Sequence, residues 1–195
     1  MAKRFMTGAI AVLLAFTLAS CSAGGSTSGN QSPTPTSTTA TTATATSQSG
    51  YTVKVYFSRH PASDNDPSAV FAVTRVSPNL SVATYALQQL FAGPTAAEQA
   101  AGYYTPLTES LSGTSSCGSS DFTITLNMRG ATPEQGTATV KFCKTTALAG
   151  DLTGGRITSE IKATLLQFST ITKVVILSQD GGCFDDMSGQ NMCLA

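Results

Sequence analysis

Alternating apolar and polar residues predict two β-hairpins in this chain. Residues 51–57, YTVKVYF, alternate as a strand with one buried face does, and residues 69–76, AVFAVTRV, form a second β-rich run after a loop of turn-forming residues. The alternation returns in residues 121–128, DFTITLNM, and in residues 136–143, GTATVKFC. Only the short segment RGATPEQ separates these last two runs, so they predict the second hairpin.

A helical stripe of apolar residues follows each hairpin. Residues 81–93 and residues 156–168 both place apolar side chains at helical spacing. The first stripe contains Val82, Ala86, Leu87, Leu90 and Phe91, and the second contains Ile157, Ile161, Leu165 and Phe168. The last run, TKVVILS in residues 172–178, is continuously apolar and predicts a strand in the interior of a sheet. The resulting order, β-β-α-β-β-α-β, predicts a single α+β domain whose two main helices pack on one face of a mixed sheet.

Strong stop and start signals separate the first helix from a short helix after it. Gly93 can adopt the left-handed conformation that ends a helix, and Pro94 prevents the helix from continuing. Thr95 and Glu98 have the Thr-x-x-Glu spacing of a capping box, in which each side chain accepts a hydrogen bond from the other residue's amide. We therefore expect a sharp turn between the two helices, and we expect Gly102 to end the second one.

The N-terminus has the features of a bacterial lipoprotein signal peptide. Residues 1–20 begin with Lys3 and Arg4 and continue with an apolar run too short to span a bilayer comfortably. They end in Leu-Ala-Ser before Cys21, which fits the lipobox in which the cysteine is acylated, for example with palmitate. We expect Cys21 to be the site of lipid attachment. An ordinary secretory signal followed by a chance cysteine is the alternative.

The next segment, residues 21–50, predicts a disordered linker that begins with the lipidated cysteine. After Cys21 it contains no charged and no aromatic residue, and serine and threonine make up more than half of it. Such a segment cannot bury enough apolar surface to fold, and as a coil it reaches roughly 30 Å. Residues 51–195 then form one domain. We expect this domain at the extracytoplasmic face of the cell membrane, anchored through its lipid.

Four cysteines remain in the predicted domain. An even number of cysteines in an exported chain indicates two disulfides, and four cysteines allow three connectivities. The second hairpin brings Cys117 close to the strand end that carries Cys143, and Cys183 and Cys193 enclose a short C-terminal segment. We therefore favour Cys117–Cys143 and Cys183–Cys193. Zinc is the alternative, but no two cysteines have zinc-ligand spacing and the single histidine is distant in sequence.

Charge and composition argue against nucleic acid as a partner. The chain has eleven basic and eleven acidic residues, and removal of Lys3 and Arg4 leaves nine against eleven, a net charge of −2. The sequence contains no basic run and no aromatic residues interleaved with basic ones, which nucleic-acid-binding surfaces use. We also expect no cofactor.

Catalytic chemistry has one candidate imidazole. His60 is the only histidine, and Ser58 and Asp64 lie near it in the sequence. Neighbours in sequence are not a triad in space, and no nucleophile motif surrounds a serine. We interpret His60 as an exposed loop histidine and expect no catalytic residue and no enzyme activity.

Two groups of aspartates and one tyrosine pair complete the candidate residues. Asp64 and Asp66 share a loop, and a second acidic group surrounds Cys183, formed by Asp180, Asp185 and Asp186. Either group could bind calcium through its carboxylates, but neither has EF-hand spacing, and we expect no metal. Tyr103 and Tyr104 either pack at the edge of the core or form an exposed recognition patch.

Several short motifs follow one another in the order of a known family. The strand VKVYF comes first, and the second strand ends near Arg75. A Leu-x-x-Gly-Pro-Thr element and the residues after it come next, namely Leu90, Gly93, Pro94, Thr95, Glu98, Gly102, Pro106 and Leu107. A Gly-x-Ala-x-Val strand follows at Gly136, Ala138 and Val140, and the segment ATLLQFSTITKVVI closes the pattern before Gly181. Over about residues 51–182 the chain resembles the GerMN domain, the sporulation and spore-germination family. The four cysteines and the tail after Gly182 depart from the family pattern.

The resemblance implies an α+β fold like the ring-building modules of envelope assemblies. GerMN domains occur in lipoproteins and beside cell-wall amidase domains, and some take part in sporulation envelope complexes. No enzymatic activity is established for the domain, so the resemblance adds no catalytic residue. We therefore expect a non-catalytic lipoprotein that binds an envelope protein or self-associates. The alternative is a module that binds cell wall or a small ligand and is accessory to peptidoglycan remodelling.

Overall fold

Eight strands and four α-helices make up the part of the chain that the structure describes. The structure is a computed structural model, and it describes residues 50–148, 150 and 152–195. The elements follow in the order β1 (Tyr51–Arg59), β2 (Phe71–Ser77), α1 (Val82–Ala92), α2 (Ala96–Ala100), β3 (Tyr103–Tyr104), α3 (Leu107–Ser110), β4 (Leu111–Ser112), β5 (Phe122–Arg129), β6 (Thr132–Phe142), β7 (Thr145–Thr146), α4 (Thr153–Leu166) and β8 (Lys173–Leu177), and a short 3₁₀ helix, Met192–Leu194, lies near the C-terminus.

The predicted signal peptide, the lipidated Cys21 and most of the linker fall outside these described residues. Within residues 50–148, 150 and 152–195, no helix is both long enough and apolar enough to cross a membrane. The domain boundaries at residues 20, 21 and 50 therefore stay predictions.

The α+β class and the order of the main elements are confirmed. The two β-hairpins, the two main helices and the last strand occur in the predicted order, but β6 begins at Thr132, four residues before the predicted start at Gly136, so only residues 130 and 131 connect the second hairpin. Helices α1 and α4 pack against each other and against β1. Both predicted stripes contribute to the core: α1 buries Ala86, Leu87, Leu90 and Phe91, and α4 buries Ile157, Ile161 and Leu165.

The strands are divided among three sheets in the described residues. One sheet has the order β2-β1-β3, the second is the pair β4-β7, and the third is the mixed sheet β5-β6-β8. In the first sheet, β1 and β2 form the predicted antiparallel hairpin, from Tyr51 opposite Ser77 to Phe57 opposite Phe71. Alternation buries Val53, Val55 and Phe57 in the core.

The last strand is not in the interior of its sheet, so that detail of the prediction is wrong. Strand β6 is the central strand, because it pairs antiparallel with β5 and parallel with β8. The other side of β8 contacts the C-terminal tail, where Leu177 bridges Cys183 and the Phe184 amide donates to the Ile176 carbonyl at 2.9 Å. The apolar run of β8 is buried by α4 and this tail, and a continuous apolar run cannot distinguish such cover from flanking strands.

Side chains of α4 take the place of a strand along one edge of β1. The edge of β1 that faces away from β2 exposes alternate amides, because successive residues of a strand point their N–H groups to opposite sides. The amides of Lys54, Tyr56 and Ser58 donate to Gln167 at 2.8 Å, to Thr164 at 3.1 Å and to Glu160 at 2.9 Å, respectively. The need for these acceptors explains why polar residues, namely Glu160, Thr164 and Gln167, occur on the face that α4 turns towards β1.

The capping box of α2 is present and is tied to the first sheet. The Thr95 amide donates to Glu98 Oε2 at 2.8 Å, and the Glu98 amide donates to Thr95 Oγ1 at 3.4 Å. The Glu98 carboxylate also accepts two hydrogen bonds from the Arg75 guanidinium of β2, at 2.6 and 2.7 Å. The Arg75 contact lowers the pKa of Glu98 to about 2. Gly93, with φ of 81°, ends α1 as predicted.

Both favoured disulfides are present. Cys117 bonds to Cys143, with their Cα atoms 5.5 Å apart, and this bridge ties the loop before β5 to the end of β6. Cys183 bonds to Cys193, with their Cα atoms 5.9 Å apart, and closes the C-terminal tail.

Replacing Thr164 by valine should destabilise the domain. The variant keeps the shape of the side chain but leaves the partly buried Tyr56 amide without its acceptor, which should cost about 1 kcal/mol. Urea unfolding followed by circular dichroism measures the loss. As a matched control, Thr125→Val at an exposed position of β5 should change stability by less than about 0.5 kcal/mol. Equal stability of the two variants would contradict the role assigned to Thr164.

The Arg75–Glu98 pair should contribute stability that disappears in acid. Since the pKa of Glu98 is below its usual value of 4.5, the contribution is complete above about pH 4.5 and is lost as the pH falls towards 2. Arg75→Gln should therefore cost about 2 kcal/mol at neutral pH and much less near pH 3. Arg75→Lys should be intermediate, because lysine keeps the charge but not the paired hydrogen bonds. An equal cost at both pH values would rule out the charged pair as the cause.

Candidate functional site

Three elements meet at the C-terminal end of β1 and bring aromatic and cationic side chains together on the surface. Arg59 and His60 follow from β1, Tyr103 and Tyr104 form β3, and Arg156 lies in the first turn of α4. We call these five residues the aromatic–cationic platform. Strand β3 is held there by pairing with β1, with Tyr104 opposite Ser58 and Tyr103 opposite Arg59.

Each tyrosine of the platform contacts a cation or an imidazole. The His60 ring stacks on Tyr104 with ring centroids 4.3 Å apart and an interplanar angle of 18°. The Arg156 Cζ atom is 5.9 Å from the Tyr104 centroid, and the Arg59 Cζ atom is 5.2 Å from the Tyr103 centroid. Both distances are within the range of cation–π attraction. Arg59 and His60 are exposed, whereas the two tyrosines and Arg156 are half-buried.

Hydrogen bonds of the loop after β1 hold the platform in place. The Arg156 guanidinium donates to the carbonyl of Ser63 at 2.7 Å and to the carbonyl of Asp64 at 2.6 Å. His60 Nδ1 lies 2.5 Å from Asp64 Oδ1, and the His60 amide donates to the Gly102 carbonyl at 3.0 Å. The loop therefore ties the strand end, the chain before β3 and α4 to one another.

A buried carboxyl group lies beneath the platform. Glu160 is fully buried, and its Oε1 atom accepts from the Ser58 amide at 2.9 Å and the Ser58 hydroxyl at 2.8 Å. Its Oε2 atom accepts from the Thr105 hydroxyl at 2.6 Å. Burial raises the pKa of Glu160 to about 7, although the hydrogen bonds from Thr105 and Ser58 and the Arg156 charge act in the opposite direction. Burial also raises the pKa of Tyr104.

The candidate triad is not assembled. The Ser58 hydroxyl is buried and donates to Glu160, whereas His60 is exposed and pairs with Asp64. His60 therefore has an acidic partner but is not aligned with the nearest serine hydroxyl, which a nucleophile–histidine pair requires. Asp66 does not join this pair, because its Oδ1 atom accepts from the amide and hydroxyl of Ser68.

The aspartates of the C-terminal tail each serve the local backbone. Asp180 accepts from the Gly182 amide at 3.1 Å. Asp186 accepts from the amides of Ser188 and Asn191, and the hydrogen bond from the Ser188 hydroxyl is the largest cause of its lowered pKa. In the part of the chain that the structure describes, no group of three or more histidine, cysteine or acidic side chains could hold a metal ion.

Asp185 lies at the N-terminal turn of α4. The Asp185 carboxylate packs directly over Gly154, where a Cβ atom would force the aspartate side chain to move. A negative charge at a helix N-terminus interacts favourably with the helix dipole. The tail closed by Cys183–Cys193 thus supports the helix that carries Arg156 and Glu160.

Sequence reasoning identified only part of this site. It singled out His60, Tyr103 and Tyr104, and the structure stacks His60 on Tyr104, but it did not identify Arg59, Arg156 or Glu160. One signal was present: Glu160, Thr164 and Gln167 recur at the i, i+4, i+7 spacing of one helical face. A polar stripe beside the apolar stripe of α4 could have indicated a buried polar contact.

Glu160 should make stability depend on pH in the neutral range. Its pKa in the folded protein, about 7, exceeds its usual value of 4.5, so the folded state binds the proton more tightly than the unfolded state does. The associated stability is complete below about pH 4.5 and is lost as the pH rises through about 7. Glu160→Gln cannot lose a proton, so its stability should fall less between pH 5 and about pH 8. Urea midpoints across that range measure the difference.

A matched substitution separates Glu160 from general effects of charge. Glu109→Gln changes an exposed glutamate of α3 and should keep the pH dependence of the wild-type protein. If Glu160→Gln retained the full wild-type decline, another group would be responsible for it.

The sequence matches the model of one protein family. The model of the family described as "Germane: Sporulation and spore germination" matches residues 54–181, about two thirds of the chain. No curated protein and no solved structure matches the chain significantly. The matched range runs from within β1 to beyond β8 and includes both main helices and all five platform residues. The chain therefore belongs to the Germane family of sporulation and spore germination.

Proposed function

We propose that this protein is a membrane-anchored extracytoplasmic lipoprotein whose Germane domain binds another protein of the cell envelope without catalysing a reaction. The family's association with sporulation and spore germination gives the general context. The membrane anchor is the lipid expected on Cys21, and the linker that follows gives the domain its reach.

The aromatic–cationic platform is the observation that carries the proposal. Tyrosine and arginine are enriched among the residues that dominate protein–protein binding energy. Here both types occur side by side with an exposed histidine, and the loop hydrogen bonds and Arg156 hold them rigidly. A rigid surface loses little conformational entropy on binding, which favours affinity.

The arrangement of polar groups supports a binding role over a catalytic one. Ser58 and Thr105 direct their hydroxyl groups to Glu160, away from solvent. The His60–Asp64 pair is exposed and has no activated nucleophile beside it. Catalysis is also not a known property of the Germane family.

Arg59 indicates the chemistry of the partner. Its guanidinium contacts the Ala101 carbonyl and the Tyr103 ring, and it forms no ion pair with a carboxylate among the described residues. Arg156 likewise donates only to backbone carbonyls in that part of the chain. Arg59, which has no carboxylate partner among the described residues, lies against Tyr103 and favours a protein surface that combines acidic and aromatic residues.

Binding of cell wall or of a small ligand, as an accessory to peptidoglycan remodelling, is the alternative function. Half-buried tyrosine rings can stack on sugars, and Arg59 could pair with a stem-peptide carboxylate. Sedimentation of the purified protein with isolated cell wall tests this alternative directly.

Charge reversal at Arg59 should weaken capture of the partner. The full lipidated chain, with an affinity tag after Ala195, is cross-linked in its host envelope, and the captured protein is identified and purified. The dissociation constant of the purified pair should rise at least tenfold for Arg59→Glu, because an uncompensated cation becomes a repelling anion. Lys162→Glu, which reverses an exposed charge of α4 outside the platform, should bind like the wild-type protein.

Two results would contradict the proposal. Equal binding of Arg59→Glu and Lys162→Glu would move the interface away from the platform. Recovery of the tagged chain alone, with an oligomer mass in solution, would indicate self-association in place of a separate partner.

A further inference from the structure

One group of exposed apolar side chains lies at the end of the domain where the linker enters. Nine large hydrophobic residues are exposed among those described, and five of them lie at this end, namely Tyr51, Val76, Leu80, Leu126 and Leu166. We call these five residues the tether end. Leu80 is 76% exposed, which makes it the most accessible of the five.

Strand pairing and side-chain contacts place these residues at one end. Tyr51 begins β1, and Val76 lies opposite Thr52. Leu166 ends α4, and the next residue, Gln167, bonds to both backbone groups of Lys54. Leu80 lies in the connection between β2 and α1, and Leu126 lines a small cavity with residues 170 and 171, just after α4.

The platform lies at the other end of α4. Along β1 the contacts with α4 run from Lys54 with Gln167 to Ser58 with Glu160, so the helix and the strand are antiparallel. The 14 residues of α4 correspond to about 21 Å at 1.5 Å per residue. The domain is therefore polarised, with the tether end and the platform separated by the length of this helix.

The tether end and the C-terminal tail also differ in charge. The C-terminal tail has no lysine or arginine, and among the described residues its Asp180, Asp185 and Asp186 form no salt bridge. Three further exposed apolar residues, Leu148, Leu152 and Met187, lie in or near that acidic region. At the tether end Lys54 is exposed, whereas Arg129 pairs with Glu134 and donates to the Leu194 carbonyl of the tail. An anionic lipid surface would repel the tail and attract the tether end.

We propose that the tether end rests on the lipid bilayer, with Tyr51, Leu80 and Leu166 in the headgroup region, so that the platform faces away from the membrane. This inference depends on the lipid anchor at Cys21 in the proposed function. The chain enters the domain at Gly50, 29 residues after Cys21, so the tether end is the part of the domain that follows the linker directly along the chain. Tyrosine favours the membrane–water interface because its ring is apolar and its hydroxyl is polar.

Because the lipid anchor holds the domain near the bilayer, a weak contact between the tether end and the bilayer is sufficient to orient the domain. Transfer of leucine side chains from water to the bilayer is favourable, but a few leucines bind a bilayer only weakly on their own. Attachment through the linker, for which the sequence predicts a reach of roughly 30 Å, would convert the contact into an intramolecular step with a high effective concentration. The domain then spends much of its time in one orientation, with the platform presented to partners above the membrane.

A single tryptophan reports the contact, because the natural chain contains none. Full-length Leu80→Trp and Met187→Trp are purified as lipidated proteins from bacterial membranes and reconstituted into vesicles of phosphatidylcholine and phosphatidylglycerol with brominated acyl chains. Leu80 and Met187 are both highly exposed, at 76% and 98%, so neither replacement disturbs the core. Bromine should quench the Leu80→Trp emission several-fold more than the Met187→Trp emission. Adding Leu166→Asp to Leu80→Trp should reduce that quenching.

Vesicle flotation separates this inference from the proposed lipid anchor. If both proteins float and are quenched equally, the anchor stands and the orientation is overturned. A chain that does not float with the vesicles removes the anchor and the orientation together. Blue-shifted Leu80→Trp emission without bromine quenching, accompanied by a dimer mass, would show that a second copy covers the tether end and would also overturn the proposal.

Discussion

The hydrogen bonds between α4 and the outer edge of β1 are the interaction on which the rest of the structure depends. A strand edge that is covered without partners for its amides is costly, and Glu160 and Thr164 of α4 and Gln167 just after it supply three acceptors here. Their spacing sets how far α4 is translated along β1 and which of its faces is turned inwards. That placement brings Arg156 to Tyr104 and puts Glu160 beneath the end of β1. The positions of the platform side chains therefore follow from the hydrogen bonds between α4 and the edge of β1.

Strand β8 of the third sheet and the C-terminal tail also contact this helix. Strand β8 packs against α4, and Phe184 of the tail joins the core, where its ring lies 4.9 Å from that of Phe142. Asp185 fits against Gly154 in the first helical turn. The tail departs from the family pattern, yet it supports α4, the helix that contacts both β1 and β8. A disulfide-closed tail can contribute such support in a small exported domain, where the core alone is limited.

Buried polar groups stabilise the domain, whereas exposed polar groups are available for recognition. Glu160, Ser58 and Thr105 are buried and satisfy one another, and they determine where Tyr104 lies. Arg59 and His60 remain exposed above them. The same strand thus carries a rigid internal network at its end and a surface that can bind. The opposite end of the strand presents apolar side chains near the linker, which gives the domain a direction relative to its expected anchor.

The sequence by itself determined the main strands and helices, the α1–α2 turn and the favoured cysteine pairs, but not the short elements β3, α3, β4 and β7. Hydrophobic period, Gly93-Pro94 and the Thr95–Glu98 spacing act between neighbouring residues, so they can be recognised without a fold. The division into separate sheets, the outer position of β8 and the partners of Glu160 were decided only by tertiary structure. The decisive bonds join residues 102 to 113 positions apart, and no local pattern specifies which helix face will meet which strand edge. His60 and Tyr104 could be named as candidates, but their stacking depends on the packing of α4 and β3 against β1.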